Sequence, residues 1–219
     1  MNPERFQKLA RALRRRQPDL TVLMERVHKS HNLSAILRNC DAVGVLEAHA
    51  IPPEDGLQIH PHTSAGTAKW VRLVRHRTTE AAIKELKSRG FRVLAAHPGP
   101  DAVDFREVDF TMPTALMMGA ELRGLSDEAL ELADGWISIP MVGMAQSFNV
   151  SVATALLLFE AFRQREAAGM YDESRIDPKE ARRILFEWVY PRVARHCRDQ
   201  GKPYPSLGDD GGLPKSSFE

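Results

Sequence analysis

Asn32 and Arg38 in HNLSAILRNCDAVG, Glu121 in LMMGAELRGLS, and Gln146, Ser147 and Asn149 in IPMVGMAQSFNVSVATALLLFEA are the residues of this 219-residue chain whose types and spacing suit chemistry. Few of them titrate near neutrality, so what they suit is the positioning of ligands. The third stretch is an uncharged loop that leads straight into an apolar helix. A bound phosphate calls for glycines and a lysine. Backbone amides, a hydroxyl and two thioethers suit instead the edge of an adenine-like ring and an apolar wall to hold it. Each stretch also has a plainer reading. Arg38 among Ile36, Leu37 and Cys40 could snorkel to water, Gly119 could only make a turn, and Ser147 or Asn149 could only cap the following helix. The chain has no GxxxxGKS or GxxxxGKT loop, no GxGxxG after a first strand, no HExxH and no GxSxG, which removes support for nucleotide hydrolysis, ordinary dinucleotide binding, zinc proteolysis and serine hydrolysis.

The elements that must position these residues alternate. LTVLMERV (20–27) reads as a buried strand and NLSAILRNCDAVG as a helix from near Asn32 that Gly44 ends. Short apolar runs at 45–51, 71–74, 91–96, 114–119 and 136–140 are bounded by turn residues, with helical stretches TTEAAIKELKSRG and SDEALELADG between them, the second opened by a Ser126 cap. This alternation predicts an α/β fold with a mainly parallel sheet covered by helices on both faces, and such sheets bind ligands outside the carboxyl ends of their strands. From Val150, the positions Ala153, Thr154, Leu157, Leu158 and Ala161 follow a helical stripe that should pack on the sheet. Asp177, Pro178 and Glu180 open another helix, which Pro191 should bend or interrupt. The segments divide as a basic arm (1–19), a central domain (20–168), a C-terminal helical extension (169–203) and a loose Gly/Pro/Ser-rich tail (204–219).

With 43% hydrophobic residues the chain can bury a sizeable core. No window approaches the roughly 18 apolar residues of a membrane span, and the start MNPERFQKLARALRRRQ lacks an apolar signal-peptide core, so a cytoplasmic protein is expected. Cys40 and Cys197 lack metal-ligand spacing, and no structural metal is expected. Net charge is +1, but from Met1 to Arg16 the six cations Arg5, Lys8, Arg11, Arg14, Arg15 and Arg16 face only one acid, Glu4. Helical spacing groups Phe6, Leu9 and Leu13 on one face and Lys8, Arg11 and Arg15 on another, a footprint for a polyanion.

The three stretches, in order and spaced as they are, resemble motifs 1, 2 and 3 of the SpoU branch of the SPOUT RNA 2′-O-ribose methyltransferases over roughly Thr21 to Arg165. The resemblance implies a C-terminal deep trefoil knot, threaded by the third motif, as the pocket for S-adenosyl-L-methionine (SAM). In that pocket Ala96, Gly119, Ile139, Met141 and Phe148 would hold the cofactor. Arg38 would be central to catalysis, as general base or as a phosphate clamp, with Asn32, Glu121, Ser147 and Asn149 around it. Position 148 is Phe where other members often have Leu. The arm is too short for the separate RNA-binding domain usual in the rRNA-modifying relatives, which favours tRNA as substrate, and the resemblance implies methylation of guanosine 18 in the tRNA D-loop. Methylation of a ribosomal RNA nucleotide and a non-catalytic RNA-binding relative are the alternatives. Lys8, Arg11, Arg15, Arg163 and Arg165 would contact tRNA phosphates, and a homodimer would form through the knot helices.

Overall fold

A computed structural model describes residues 2–53 and 69–213. Seven strands, β1 (Leu20–Glu25), β2 (Glu47–Ile51), β3 (Arg72–Arg75), β4 (Arg92–Ala96), β5 (Val103–Asp104), β6 (Thr114–Met118) and β7 (Gly135–Ser138), form one sheet in the order β3-β2-β1-β6-β4-β7-β5. Every pairing is parallel, with β1 and β6 in register from Leu20 opposite Thr114 to Met24 opposite Met118. The two-residue β5 was not predicted, because a pair of residues carries no periodicity.

Around the sheet lie α2 (Ser30–Ala42), α3 (Thr79–Ser88), α4 (Asp127–Leu132) and α5 (Val150–Ala167), while α1 (Pro3–Arg14), α6 (Pro178–Val189) and α7 (Pro191–Asp199) belong to the chain ends. Side chains alternate across a strand, so Val22 and Met24 of β1 join one core with Leu33, Ile36 and Leu37 of α2 and Leu157, Leu158 and Ala161 of α5. Leu23, between them, joins the other core with Ala82, Ile83 and Leu86 of α3 and Ala129 of α4. Burial on both faces makes these strands read as continuous apolar runs. The predicted caps form: Ser126 and Asp177 accept from the backbone N–H groups of Ala129 and Lys179, and Thr78, which the sequence reading did not assign, accepts from that of Ala81. Pro191 interrupts the C-terminal helix, since Tyr190 before it cannot stay helical and sits at φ −129°, ψ 62°.

By contact density the chain forms two units, Gln17–Met170 and Met1–Arg16 with Tyr171–Glu219. In the second, Leu9 and Leu13 of α1 are buried and Lys8, Arg11 and Arg15 are exposed. Arg15 lies over the Tyr171 ring, and the buried Arg16 lies over that of Trp188. The expected loose tail is packed as far as it is described. Tyr204 stacks on Phe186 with ring centres 4.8 Å apart and donates its hydroxyl proton to Glu187 (2.7 Å), while Tyr190 donates to the Gly211 carbonyl (2.9 Å). Two aromatic anchors outweigh a composition that reads as disordered, and residues 214–219 lie outside the described residues.

Arg165 corrects the expectation that it meets tRNA. It is 0% exposed and donates to the Phe110 carbonyl (2.8 Å), the Gln17 amide oxygen (3.1 Å), Asp19 Oδ1 (2.6 Å), the Asp19 carbonyl (3.2 Å) and the Met112 carbonyl (3.1 Å). A guanidinium so enclosed has no donor left for a phosphate. It ties α5 to the approach to β1 and to the loop before β6. Arg165→Met keeps the volume and orphans these acceptors, so it should lower the unfolding free energy by about 3–5 kcal/mol, the usual cost of breaking a buried ion pair. Denaturant titration measures this, and a loss under about 1 kcal/mol would show that the network contributes little.

Candidate active site

The carboxyl ends of β4, β6 and β7 open onto a cavity of about 540 Å³, within the usual range for small-molecule sites. Its lining includes Ala96, Gly119, Ile139, Met141 and Phe148, and also Glu121, Ser147 and Asn149. Lys29, His97, Pro98, Leu122 and Gln146 complete much of the wall. The sequence reading missed His97, which stands edge-on to Trp136 with ring centres 5.1 Å apart. The rule that ligands bind past strand carboxyl ends would have found it, since HPG directly follows β4.

The turn after β6 depends on Gly119. A Cβ built there would lie 2.2 Å from the Gly124 carbonyl carbon and 2.4 Å from the Leu125 nitrogen. Ala120 and Gly124 close the turn with two reciprocal backbone hydrogen bonds, of 2.9 and 2.8 Å. Glu121, held on this turn, accepts from the backbone N–H groups of His28 (3.2 Å) and Lys29 (3.1 Å) and from the Asn32 amide (2.7 Å). Burial pushes its carboxyl upward, but these donors outweigh that and hold it below the usual glutamate range. An ionised carboxylate therefore sits at the N-terminus of α2, where the helix dipole favours it. Lys29, the residue preceding that helix, has no side-chain cap of its own, so a glutamate far away in sequence supplies one.

Asn32, 2% exposed, passes the chain on. Its amide oxygen accepts from Asn149 (3.2 Å), and Asn149 Oδ1 in turn accepts from the Ser151 backbone N–H (2.9 Å) and hydroxyl (2.7 Å). Asn149 thus both caps α5 and binds Asn32. The cap reading of this residue holds, and the same residue lines the cavity. Ser147 and Phe148 lie exposed at the cavity mouth. Arg38 is not brought to the cavity of its own chain. It is exposed on α2 and makes no hydrogen bond or ion pair with any described residue, next to Asn39, whose amide donates to the Ser151 carbonyl in the first turn of α5 (2.9 Å).

Among the described residues one group has metal-ligand geometry: His49, His76 and Glu85, with ligand atoms within 4.8 Å of one another. His49 Nδ1 and His76 Nε2 share a hydrogen bond of 2.8 Å. Burial and the neighbouring His49 push His76 below the usual histidine value. Glu47 binds Arg72 and Arg89 beside the pair, and those two cations oppose a further positive ion.

A parallel α/β sheet with a partly apolar cavity past its strand ends, and a hydrogen-bonded frame around it, has the form of a site for a cofactor or another small molecule. Residues 19–159 match the SpoU rRNA Methylase family and residues 163–216 match the SpoU rRNA methylase C-terminal family, and the chain belongs to the SpoU methylases. It is 58% identical over 185 residues to the tRNA (guanosine(18)-2′-O)-methyltransferase of Thermus thermophilus, covering 84% of this chain and 95% of that one. The crystal structure of the Aquifex aeolicus TrmH/SpoU tRNA modifying enzyme superposes with a TM-score of 0.82 at 44% identity, over 87% of this chain and 97% of the other. The SpoU methyltransferase AviRb of Streptomyces viridochromogenes, solved in complex with the cofactor AdoMet, aligns at a TM-score of 0.62 and 28% identity over 69% of this chain and 62% of its own.

Proposed function

We infer that this chain is an enzyme that transfers a methyl group from SAM to the ribose 2′-hydroxyl of guanosine 18 in tRNA. The observation that carries the reading is the chain of hydrogen bonds Glu121–Asn32–Asn149–Ser151 beside the cavity. It joins all three motifs in one frame, which a protein that merely held RNA would not need. The cavity fits the cofactor in volume and in chemistry. Its walls offer amides, carbonyls, a hydroxyl and thioethers, and its acid, Glu121, is occupied by three donors.

SAM supplies the activated methyl group when bound, so the protein needs no nucleophile of its own. The chain's task is alignment of the ribose oxygen with the transferred carbon. Asn32, Glu121 and Asn149 fix the two loops that border the cavity, and Ser147 stands free at its mouth. A guanidinium offers donors and no acceptor, and Arg38 has no carboxylate partner among the described residues. In this reading it clamps the adjacent phosphate and orients the hydroxyl rather than acting as base.

Pairing belongs to the same proposal. The face of α5 away from the sheet exposes Val152, Leu156 and Phe159, and the loop before it exposes Val142 and Met144. Apolar surface of this extent favours an isologous contact with a second copy. Such a contact at the start of α5 would bring Arg38 of a partner subunit toward a cavity it does not reach in its own. Phe159→Glu should yield a folded monomer in sedimentation with methylation reduced roughly tenfold or more, since one buried, unpaired carboxylate per subunit opposes association. A fully active monomer would refute the pairing.

Lys8, Arg11 and Arg15 on α1 supply phosphate contacts. Arg163, which now pairs with Glu160 (2.7 Å), can do so by exchanging that partner. Family membership carries the deep trefoil knot as part of this reading, and in it the enzyme works in the cytoplasm. No helix among the described residues is long and apolar enough to cross a membrane.

The test is incubation of pure protein with methyl-labelled SAM and, in parallel, an unmodified tRNA transcript or ribosomal RNA fragments, followed by nucleoside mapping. Label should appear in 2′-O-methylguanosine at position 18. Label confined to ribosomal RNA fragments would overturn the tRNA assignment, and none in either would overturn the activity.

A further inference from the structure

Among the described residues Arg26 is the only non-glycine residue with a positive φ, 53°. Left-handed backbone is disfavoured for any residue with a Cβ, and glycine or asparagine meets it more easily. The surroundings explain how the conformation is held. Glu25, 1% exposed, accepts from the Thr79 hydroxyl (2.6 Å), the Ser126 N–H (2.8 Å) and the Ser126 hydroxyl (2.7 Å). Val27, on the other side, is also 1% exposed. The N–H of Arg26 itself donates to the Ile51 carbonyl (3.0 Å). Both neighbours are held inside while the Arg26 side chain stands in solvent. Its guanidinium makes no hydrogen bond or ion pair with any described residue.

Its place gives that exposure meaning. Met24 pairs with Met118, so Arg26 emerges just past the carboxyl end of β1, beside the point where β6 gives way to Gly119 and Glu121. His28 and Lys29, two and three residues on, hold Glu121 through their N–H groups. A strained residue on the rim of a site points to function more than to stability. An unpaired guanidinium there matches a phosphate, which it can grip with a planar pair of donors.

We propose that Arg26 is a tRNA-positioning residue whose strained backbone aims its guanidinium at a phosphate close to the nucleotide presented to the cavity. The role rests on the tRNA reading above. Arg26→Asn removes the charge and suits the backbone better. It should melt at or above the parent temperature, bind SAM as the parent does, and raise the KM for tRNA about tenfold with kcat within about twofold. In fluorescence-anisotropy binding of a tRNA transcript, the slope of log affinity against log salt should become shallower by about one. Arg26→Lys should keep the parent slope and raise KM less. Parent KM and parent slope in Arg26→Asn, or a fall in kcat alone, would overturn the proposal. So would a variant that melts well below the parent, which would assign Arg26 to the fold. A parent protein that neither binds nor methylates tRNA would overturn the function and this role together. A parent that methylates tRNA beside an indifferent variant would overturn this role only.

Discussion

Arg38→Ala and Arg38→Lys will bind SAM nearly as the parent does and lose methyl transfer by roughly 100-fold or more, the range expected when a positioned catalytic group is removed. The split follows from where Arg38 lies. It is exposed on α2, outside the cavity lining of its own chain, and it supports no other described side chain. Neither cofactor affinity nor folding should therefore depend on it. The lysine variant separates charge from shape: an ammonium keeps the positive charge but loses the planar fork that can grip phosphate and hydroxyl together. Asn149→Ala is the contrasting case, because it removes both the cap of α5 and the bond to Asn32, and it should weaken SAM binding as well as turnover. Calorimetric SAM titration beside single-turnover methylation reads both quantities. Near-normal turnover by Arg38→Ala would return that arginine to an exposed side chain with no part in the reaction.

Gly119→Ala should reduce SAM affinity roughly 100-fold or more, or about 2.7 kcal/mol, with a smaller loss of folding stability of about 1–3 kcal/mol. The added methyl would stand 2.2–2.4 Å from backbone atoms of Gly124 and Leu125, which cannot rotate away as a side chain could. The turn must open, breaking the Ala120–Gly124 pair and shifting Glu121 from the N-terminus of α2. One methyl group thereby disturbs the cavity floor and the hydrogen-bonded frame together. Gly135→Ala serves as control, since its Cβ would meet only Leu94 at an ordinary 3.6 Å. Calorimetry and thermal melting of the two variants give the comparison. Parent-like SAM affinity in Gly119→Ala would mean that the turn yields more easily than its contacts indicate.

Local physics made much of this protein legible. Strand and helix positions followed from apolar runs bounded by turn residues, and the helix starts at Ser126 and Asp177 from cap chemistry that acts over three residues. The break at Pro191 followed from a missing N–H and a steric clash. All five residues assigned to the cofactor line the cavity, as do Glu121, Ser147 and Asn149, but that assignment came from three collinear motifs resembling a family and not from periodicity. What the tertiary structure decided is the partnership of groups far apart in the chain. Glu121 bonds Asn32 across 89 positions and Asn149 bonds Asn32 across 117, so no local pattern could show that a glutamate in one motif caps the helix of another. Arg163 and Arg165 look alike in sequence, yet one is exposed and the other fully enclosed, because a helix turns about 100° per residue and only packing says which side meets the core. Arg26 likewise reads as an ordinary residue after a strand. Its left-handed backbone appears only once Glu25, Val27 and Ile51 are fixed by contacts that the sequence does not order.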